Sequence, residues 1–164
     1  MSHVVVSCPR DRYKAHQFLE KKFRGDSPVR NYQWLPIDAT ALVRVGEVEA
    51  PTEDTVMFTI TALPQRKMGK NKRRAHLSPS QQCEWLVRHL MLHAGLEVTG
   101  IENQVDPGPV RIKYNGNYFT KHGIQFDGIA VVRDRDLLKT ALNTGVGDGK
   151  AYGFGMLIVQ GIDQ

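Results

Sequence analysis

From Thr55 to the C-terminus the apolar residues change period in an order that leaves few folds open. "TVMFTITAL" (55–63) alternates Val56, Phe58, Ile60 and Ala62 on one face, the pattern of a half-buried strand. Ser78-Pro79-Ser80-Gln81 then joins an N-cap serine to proline at the first helical position and glutamine three residues past the cap. Cys83, Leu86, Val87, Leu90 and Ala94 share one face of the helix that follows, and Gly95 closes it. "LEVTGIE" reads as a strand, and "QVDPGPVRIKYNGNY" as a loop or irregular hairpin, given its Pro, Gly and Asn. "GIQFDGIAVV" (123–132) is a strand whose phase shifts at Gly128, the mark of a bulge. Asp134 caps a short helix carrying Leu137, Leu138, Ala141 and Leu142, and Gly145 ends it before a last strand, "YGFGMLIV".

Strand–helix–strand–strand–helix–strand is the split βαβ order of a ferredoxin-like or RRM-like unit. Residues 1–48 begin the same order. Val4–Cys8 is a β-branched run, and Ala15, Phe18, Leu19 and Phe23 have helical spacing within residues 10–23. "FRGDSP" stops that helix, and residues 30–48 read as two strands joined by a turn around Asp38–Thr40. The expected fold is therefore α+β, with two ferredoxin-like (βαββαβ) units in tandem, the first abbreviated. The expected division is an N-terminal unit over 1–52 and a C-terminal unit over 53–164, with "EAPTED" as a polar linker. A charged fraction of 24% beside 41% hydrophobic residues is a globular composition. No stretch approaches the ~20 apolar residues of a membrane span. "MSHVVVSCPR" is too short in its apolar run for a signal peptide. Cys8 and Cys83 fit no metal pattern and read as reduced thiols, so a soluble cytoplasmic protein is expected.

The most unusual stretch is "NTGVGDGKAYGFGMLIV" (143–159), where Gly145, Gly147, Gly149, Gly153 and Gly155 surround Lys150. A phosphate-binding Walker loop needs glycine where Thr144 stands and a hydroxyl where Ala151 stands. The dinucleotide fingerprint from Gly145 fails at Lys150. Two readings stay open. The glycines ease a bend into the last strand, or they let backbone N–H groups and Lys150 approach a nucleic-acid phosphate.

A net charge of +5 favours an anionic partner. "QRKMGKNKRRAH" (65–76) gathers Arg66, Lys67, Lys70, Lys72, Arg73 and Arg74 without an acidic residue, as a flexible basic loop suited to a polyanion. In "RDRYKAHQFLEKKF" (10–23), a helix with Ala15 and Leu19 in the core carries His16 beside that face and Tyr13 one turn before it. A tyrosine and a histidine so placed are able to manage protons in ribose 2′-OH attack on phosphate. A half-buried histidine beside a packed tyrosine fits the same spacing. His89 and His93 have a zinc-compatible spacing, yet Leu90 stands where a metalloprotease needs glutamate, and no metal is expected.

Taken in chain order, these features resemble the CasE-type CRISPR RNA-processing endoribonucleases, the type I-E members of the ferredoxin-fold repeat-processing group. "RDRYKAHQFLEKKF" looks like that family's Y-x-x-H first helix. "MFTITALPQRK…GKNKRRAHLSPSQQCEWL" is similar to its strand, basic loop and helix, with a tryptophan after the basic stretch. "GVGDGKAYGFGMLIV" resembles its terminal G-h-G-x-x-K-[AS]-x-G-x-G-L-L loop. The match spans residues 1–24, 56–88 and 122–160. It departs in the middle, where "GEVEAPTED" leads almost directly to the next strand.

The resemblance implies metal-independent cleavage of CRISPR precursor RNA at the 3′ base of a repeat hairpin, without a cofactor. Cyclic phosphate and 5′-OH ends would result. It also implies that the protein stays on the hairpin as a Cascade subunit, beside the backbone subunit. By position, His16 would be the catalytic acid/base and Tyr13 its partner. The cations of 66–74 would grip RNA, and Gly145–Gly155 with Lys150 would lie near it. A non-catalytic subunit that anchors a guide RNA by its hairpin is the alternative.

Overall fold

The computed structural model describes residues 2–27, 30–68 and 73–163. It opens with β1 (Ser2–Ser7) and α1 (Arg12–Leu19), and α1 runs into a π-helical turn over Glu20–Arg24. The helix starts two residues later than its apolar spacing implied. Asp11 is its N-cap, and the carboxylate accepts the Lys14 N–H at 2.9 Å. β2 (Tyr32–Ile37) and β3 (Thr40–Val45) follow, and Asp38 takes the left-handed turn conformation between them. The three strands pair antiparallel in the order β1-β3-β2. Ala15 and Leu19 of α1 seal this sheet against Tyr32, Trp34, Ala41 and Val43.

Residues 46–54 form neither helix nor strand and lead to β4 (Thr55–Ala62), whose buried side chains are those the alternation named. β5 (Gln65–Met68) and β6 (Arg73–His76) come next, then α2 (Pro79–Ala94) and β7 (Leu96–Val105). The short strands β8 (Val110–Tyr114) and β9 (Asn117–Lys121) lead to β10 (Ile124–Val132), α3 (Arg135–Thr144), a 3-10 turn over Lys150–Tyr152 and β11 (Ile158–Gly161). The main sheet is antiparallel in the order β11-β4-β10-β7, the ferredoxin-like arrangement of first and last strands at one side and a split βαβ at the other. The expected bulge lies where β10 slips against β7 between Asp127 and Gly128. A side chain at Gly128 would stand 2.4 Å from the Gly100 carbonyl and 2.7 Å from the Phe58 ring.

α2 carries the full capping box, with Ser78 accepting from Gln81 and the Gln81 side chain returning to the Ser78 N–H. Its buried face differs from the expected one. Trp85, Leu86, Leu90 and Ala94 enter the core, whereas Val87 is 41% exposed. Gln82 faces inward on the same side, where its amide donates to the Leu77 carbonyl and accepts from Gln104. Leu137 likewise lies outside, and Leu138, Ala141 and Leu142 hold α3 down. Three further corrections concern irregular segments. The basic stretch pairs as the β5–β6 hairpin rather than remaining a loop, with Lys67 opposite Arg74. Residues 110–121 form a regular hairpin around Asn115-Gly116. The last strand starts only at Ile158, because the glycines before it hold backbone conformations no strand can use.

The two sheets meet through polar side chains reaching main-chain carbonyls. Arg44 of β3 donates to Leu157 O at 2.9 Å and Leu142 O at 2.6 Å, and Gln33 of β2 also donates to Leu142 O. Asn143 accepts the Val48 N–H and donates to the Val48 carbonyl.

Candidate nucleic-acid site

α1 presents Arg12, Tyr13 and His16 to the glycine segment that follows α3. The Arg12 guanidinium donates to Tyr152 O at 2.8 Å and lies 5.0 Å from the Phe154 ring centroid. Burial brings the Arg12 pKa down to about 10, against an opposing effect of Cys8. The His16 ring meets Tyr152 edge-on at 5.9 Å. The Tyr13 ring stands 6.5 Å from His16. Two aromatic side chains of the β8–β9 hairpin complete the wall: Tyr114 makes a T-shaped contact with Tyr13 at 5.0 Å, and Phe119 meets Tyr152 at 5.4 Å. Burial first, then the nearby Tyr114 and Tyr13 hydroxyls, raise the Tyr152 pKa.

Behind His16 lies a charged network centred on Glu20, the first residue of the π-turn. Its carboxylate accepts from Tyr32 Oη at 2.9 Å, Arg24 Nη1 at 3.0 Å and Arg30 Nε at 3.1 Å. Burial opposes ionisation there, but these three donors hold the Glu20 carboxyl below its ordinary range. His16 Nδ1 is 4.0 Å from Glu20 Oε1, too far for a hydrogen bond, and this buried nitrogen has no hydrogen-bond partner among the described residues. Burial, then Arg30 and Arg24, push the imidazole below its ordinary pKa, while Glu20 pulls the other way. His16 is thus an uncharged base at neutral pH, walled by aromatic rings and backed by cations.

Lys150 lines a pocket of about 190 Å³ together with Arg30, Gln33, Trp34 and Asn143. All five glycines of the segment have φ between 80° and 85°. At four of them a side chain would strike the protein itself: Gly145 against Gly155 O, Gly149 against Leu63, Gly153 against Pro36 and Arg12, and Gly155 against Val146 O. The N–H groups of Gly145, Gly153 and Gly155 already donate to Ala141, Lys150 and Thr61 carbonyls. The glycines therefore serve packing first, letting residues 145–157 lie flat between α1 and β4. The Thr61 bond and the Leu63 contact also fix the base of the β5–β6 hairpin beside this segment.

Of the residues singled out from sequence, the fold brings Tyr13, His16 and the glycine segment together. The backbones of Arg66, Lys67, Arg73 and Arg74 lie in the β5–β6 hairpin, and Lys70 and Lys72 lie outside the described residues. His89 stacks on Trp85 at 4.0 Å, with Nδ1 2.9 Å from Trp85 O. Among the described residues no three His, Cys, Asp or Glu gather as metal ligands do. Nor is any helix among them long and apolar enough to cross a membrane. Sequence reasoning passed over Arg12, Glu20, Arg30, Tyr114 and Tyr152. Only the last carried a usable signal, an aromatic inside the glycine motif.

Known proteins share this fold. The fold is similar to Thermus thermophilus Cse3 bound to an RNA representing a pre-cleavage complex, at 16% identity and TM-score 0.74, covering 96% of this chain and 98% of that one. It is similar to the CRISPR-associated protein Cas6e from Escherichia coli K-12, at 18% identity and TM-score 0.74, with 98% of each chain covered. It also matches a chain of E. coli Cascade bound to a PAM-containing dsDNA target, at 17% identity and TM-score 0.66, covering 99% of this chain and 100% of that one. No curated protein sequence matches the chain. The sequence pattern described as CRISPR associated protein matches residues 37–160, three quarters of the length. The chain belongs to the CRISPR-associated protein family.

Proposed function

We propose that this protein is a metal-independent endoribonuclease acting in the cytoplasm on CRISPR precursor RNA. It cuts at the 3′ base of repeat hairpins and remains on the hairpin as a Cascade subunit next to the backbone subunit. The observation that carries this reading is His16 held edge-on to Tyr152 with Tyr13 one turn away, its imidazole kept uncharged by burial and by the Arg30 and Arg24 cations. The solved relatives add support, since Cse3 of T. thermophilus binds an RNA that represents a pre-cleavage state.

In this mechanism His16 takes the proton of a ribose 2′-OH as that oxygen attacks the adjacent phosphorus. The 2′-O–P bond forms, the P–5′-O bond breaks, and the proton passes to the departing 5′ oxygen. A 2′,3′-cyclic phosphate and a 5′-OH remain. The Tyr13 hydroxyl donates to the phosphate, and Lys150 and the β5–β6 cations hold the flanking backbone. The glycine segment acts through shape, by fixing Tyr152 and Lys150 against α1. Residues 1–52 are the abbreviated first unit and 53–164 the complete second one, in keeping with the separate sheets.

The test is cleavage of a repeat hairpin by purified protein in EDTA, with product ends identified chemically. Cyclic-phosphate ends are expected, and His16→Ala is expected to slow the reaction by roughly 10²–10⁴-fold. An equally fast variant removes His16 from the chemistry. Binding without cleavage by the wild-type protein leaves the guide-RNA anchor as the function.

A further inference from the structure

Arg12 opens α1 with a cation held partly inside the protein, where burial lowers its pKa to about 10 yet leaves it charged at neutral pH. Burying a charge is costly unless something compensates it. Among the described residues no carboxylate pairs with Arg12. Its guanidinium has instead the Tyr152 carbonyl at 2.8 Å and the Phe154 ring, whose centroid is 5.0 Å away. Phe154 is itself buried, so the cation lies over a firm base. Arg12 and His16 stand four residues apart on α1 and therefore share a face, one turn from each other. Both reach the same residue: Arg12 takes the main chain of Tyr152, and His16 packs against its ring. The Tyr152 N–H donates to Gly149 O at 2.9 Å, so both main-chain polar groups of Tyr152 are held. Gly153 leaves room for this grip, since a Cβ there would stand 3.0 Å from Arg12 Nη1 and 2.8 Å from the Pro36 ring. The imidazole is not held by a hydrogen bond to Glu20, so its orientation depends on the Tyr13 and Tyr152 rings around it.

We infer that Arg12 is a positioning residue for the cleavage reaction: it pins Tyr152 to α1, and the Tyr152 ring in turn fixes the His16 imidazole in its working orientation. This role rests on the cleavage proposed for His16. Arginine suits it because one planar group donates to a carbonyl and covers a ring at the same time, whereas lysine is a point charge. Without Arg12 the turn over Lys150–Tyr152 loses its tie to α1, and the imidazole gains both freedom and water. Its pKa then returns toward the ordinary value near 6.5. Glu20, Arg24, Arg30 and Tyr13, the other charged and titratable groups facing it, stay in place.

The experiment measures two quantities for each variant. One is the single-turnover rate at saturating protein across pH, and the other is affinity for a repeat hairpin with a 2′-deoxy sugar at the cut position. Arg12→Met is expected to lower the rate roughly 10–10²-fold, the scale of a small misplacement of reacting groups, and to keep the wild-type affinity. The acid limb of its pH–rate profile is expected to move up toward pH 6.5. Tyr152→Ala is expected to do the same, and the double variant to be no slower than the slower single one, because both remove one arrangement. Arg12→Lys keeps the charge and a donor without the flat contact, so a smaller loss and a shift in the same direction are expected. If Arg12→Met does not fold, Arg12→Lys takes its place in each comparison. A wild-type rate and limb, an affinity loss as large as the rate loss, or single losses that multiply in the double variant overturn this role and leave the proposed function standing. Absence of cleavage by the wild-type protein overturns both.

Discussion

His16 owes its chemistry to its neighbours more than to its own type. A free imidazole is half protonated near pH 6.5, but burial, Arg30 and Arg24 move this one downward, and Glu20 restrains the movement. In its proposed role as general base His16 works in the neutral form, so the rate should fall only below that depressed pKa and stay level through neutral pH. Arg30→Gln removes a cation that disfavours the imidazolium, and the acid limb of the single-turnover rate should move up toward pH 6.5. Glu20→Gln removes the one attraction and should move it down. Both displacements are measurable in a pH–rate profile, and an immobile limb in both variants contradicts the placement. Linkage has a definite sign here. Between the depressed value and pH 6.5 the unfolded chain holds a proton that folded His16 does not, so stability drops as pH falls through that window. The residues responsible were hidden in the sequence. Glu20 and Arg30 are ten positions apart, and only the return of the chain into β2 brings them together with Tyr32.

The glycine segment is where local pattern and packing diverge most. Its composition announced an unusual backbone, and five positive φ values are what such a composition permits. What the composition left open was the direction in which the backbone approaches something, toward a ligand or toward the protein. The gap at Gly155 answers this, since a Cβ there would lie 2.5 Å from the Val146 carbonyl, a main-chain atom with no room to retreat. At Gly147 the nearest atoms are those of the Trp85 ring at 3.4 Å, an ordinary contact. Gly147→Ala is therefore expected to cost about 1–2 kcal/mol, from its positive φ alone. Gly155→Ala should cost clearly more and loosen Tyr152, lowering cleavage as well. Urea denaturation and single-turnover assays of the two variants give the comparison, and equal costs would mean that backbone conformation alone sets the glycine requirement. The capped start of α2 was legible because a capping box is written in four consecutive residues. Its rotation about its own axis was not, because Trp85 and Val87 are chosen between by the strands beneath.

On the scale of the whole molecule, a shortened first unit with one helix and three strands has little core of its own. It is held to the second by directed bonds. Arg44 is 4% exposed, and it bridges the carbonyls that end α3 and precede β11. Arg44→Met keeps much of the volume but withdraws two charge-assisted bonds from buried carbonyls, an expected loss of about 3 kcal/mol. If the bridge joins two separable units, unfolding of that variant followed by tryptophan fluorescence and by circular dichroism should give two transitions, where the wild type gives one. Coincident transitions would show that the remaining contacts suffice. The order of periodicities by itself determined the ferredoxin-like class, the buried face of β4, the caps of α2 and α3 and the bulge at Gly128, because each depends on residues a few positions apart. Only the tertiary structure decided that α1, the glycine segment and the β8–β9 hairpin share one site. That choice depends on contacts more than ninety residues apart, such as Arg12 with Tyr152 and Tyr13 with Tyr114, which no local pattern encodes.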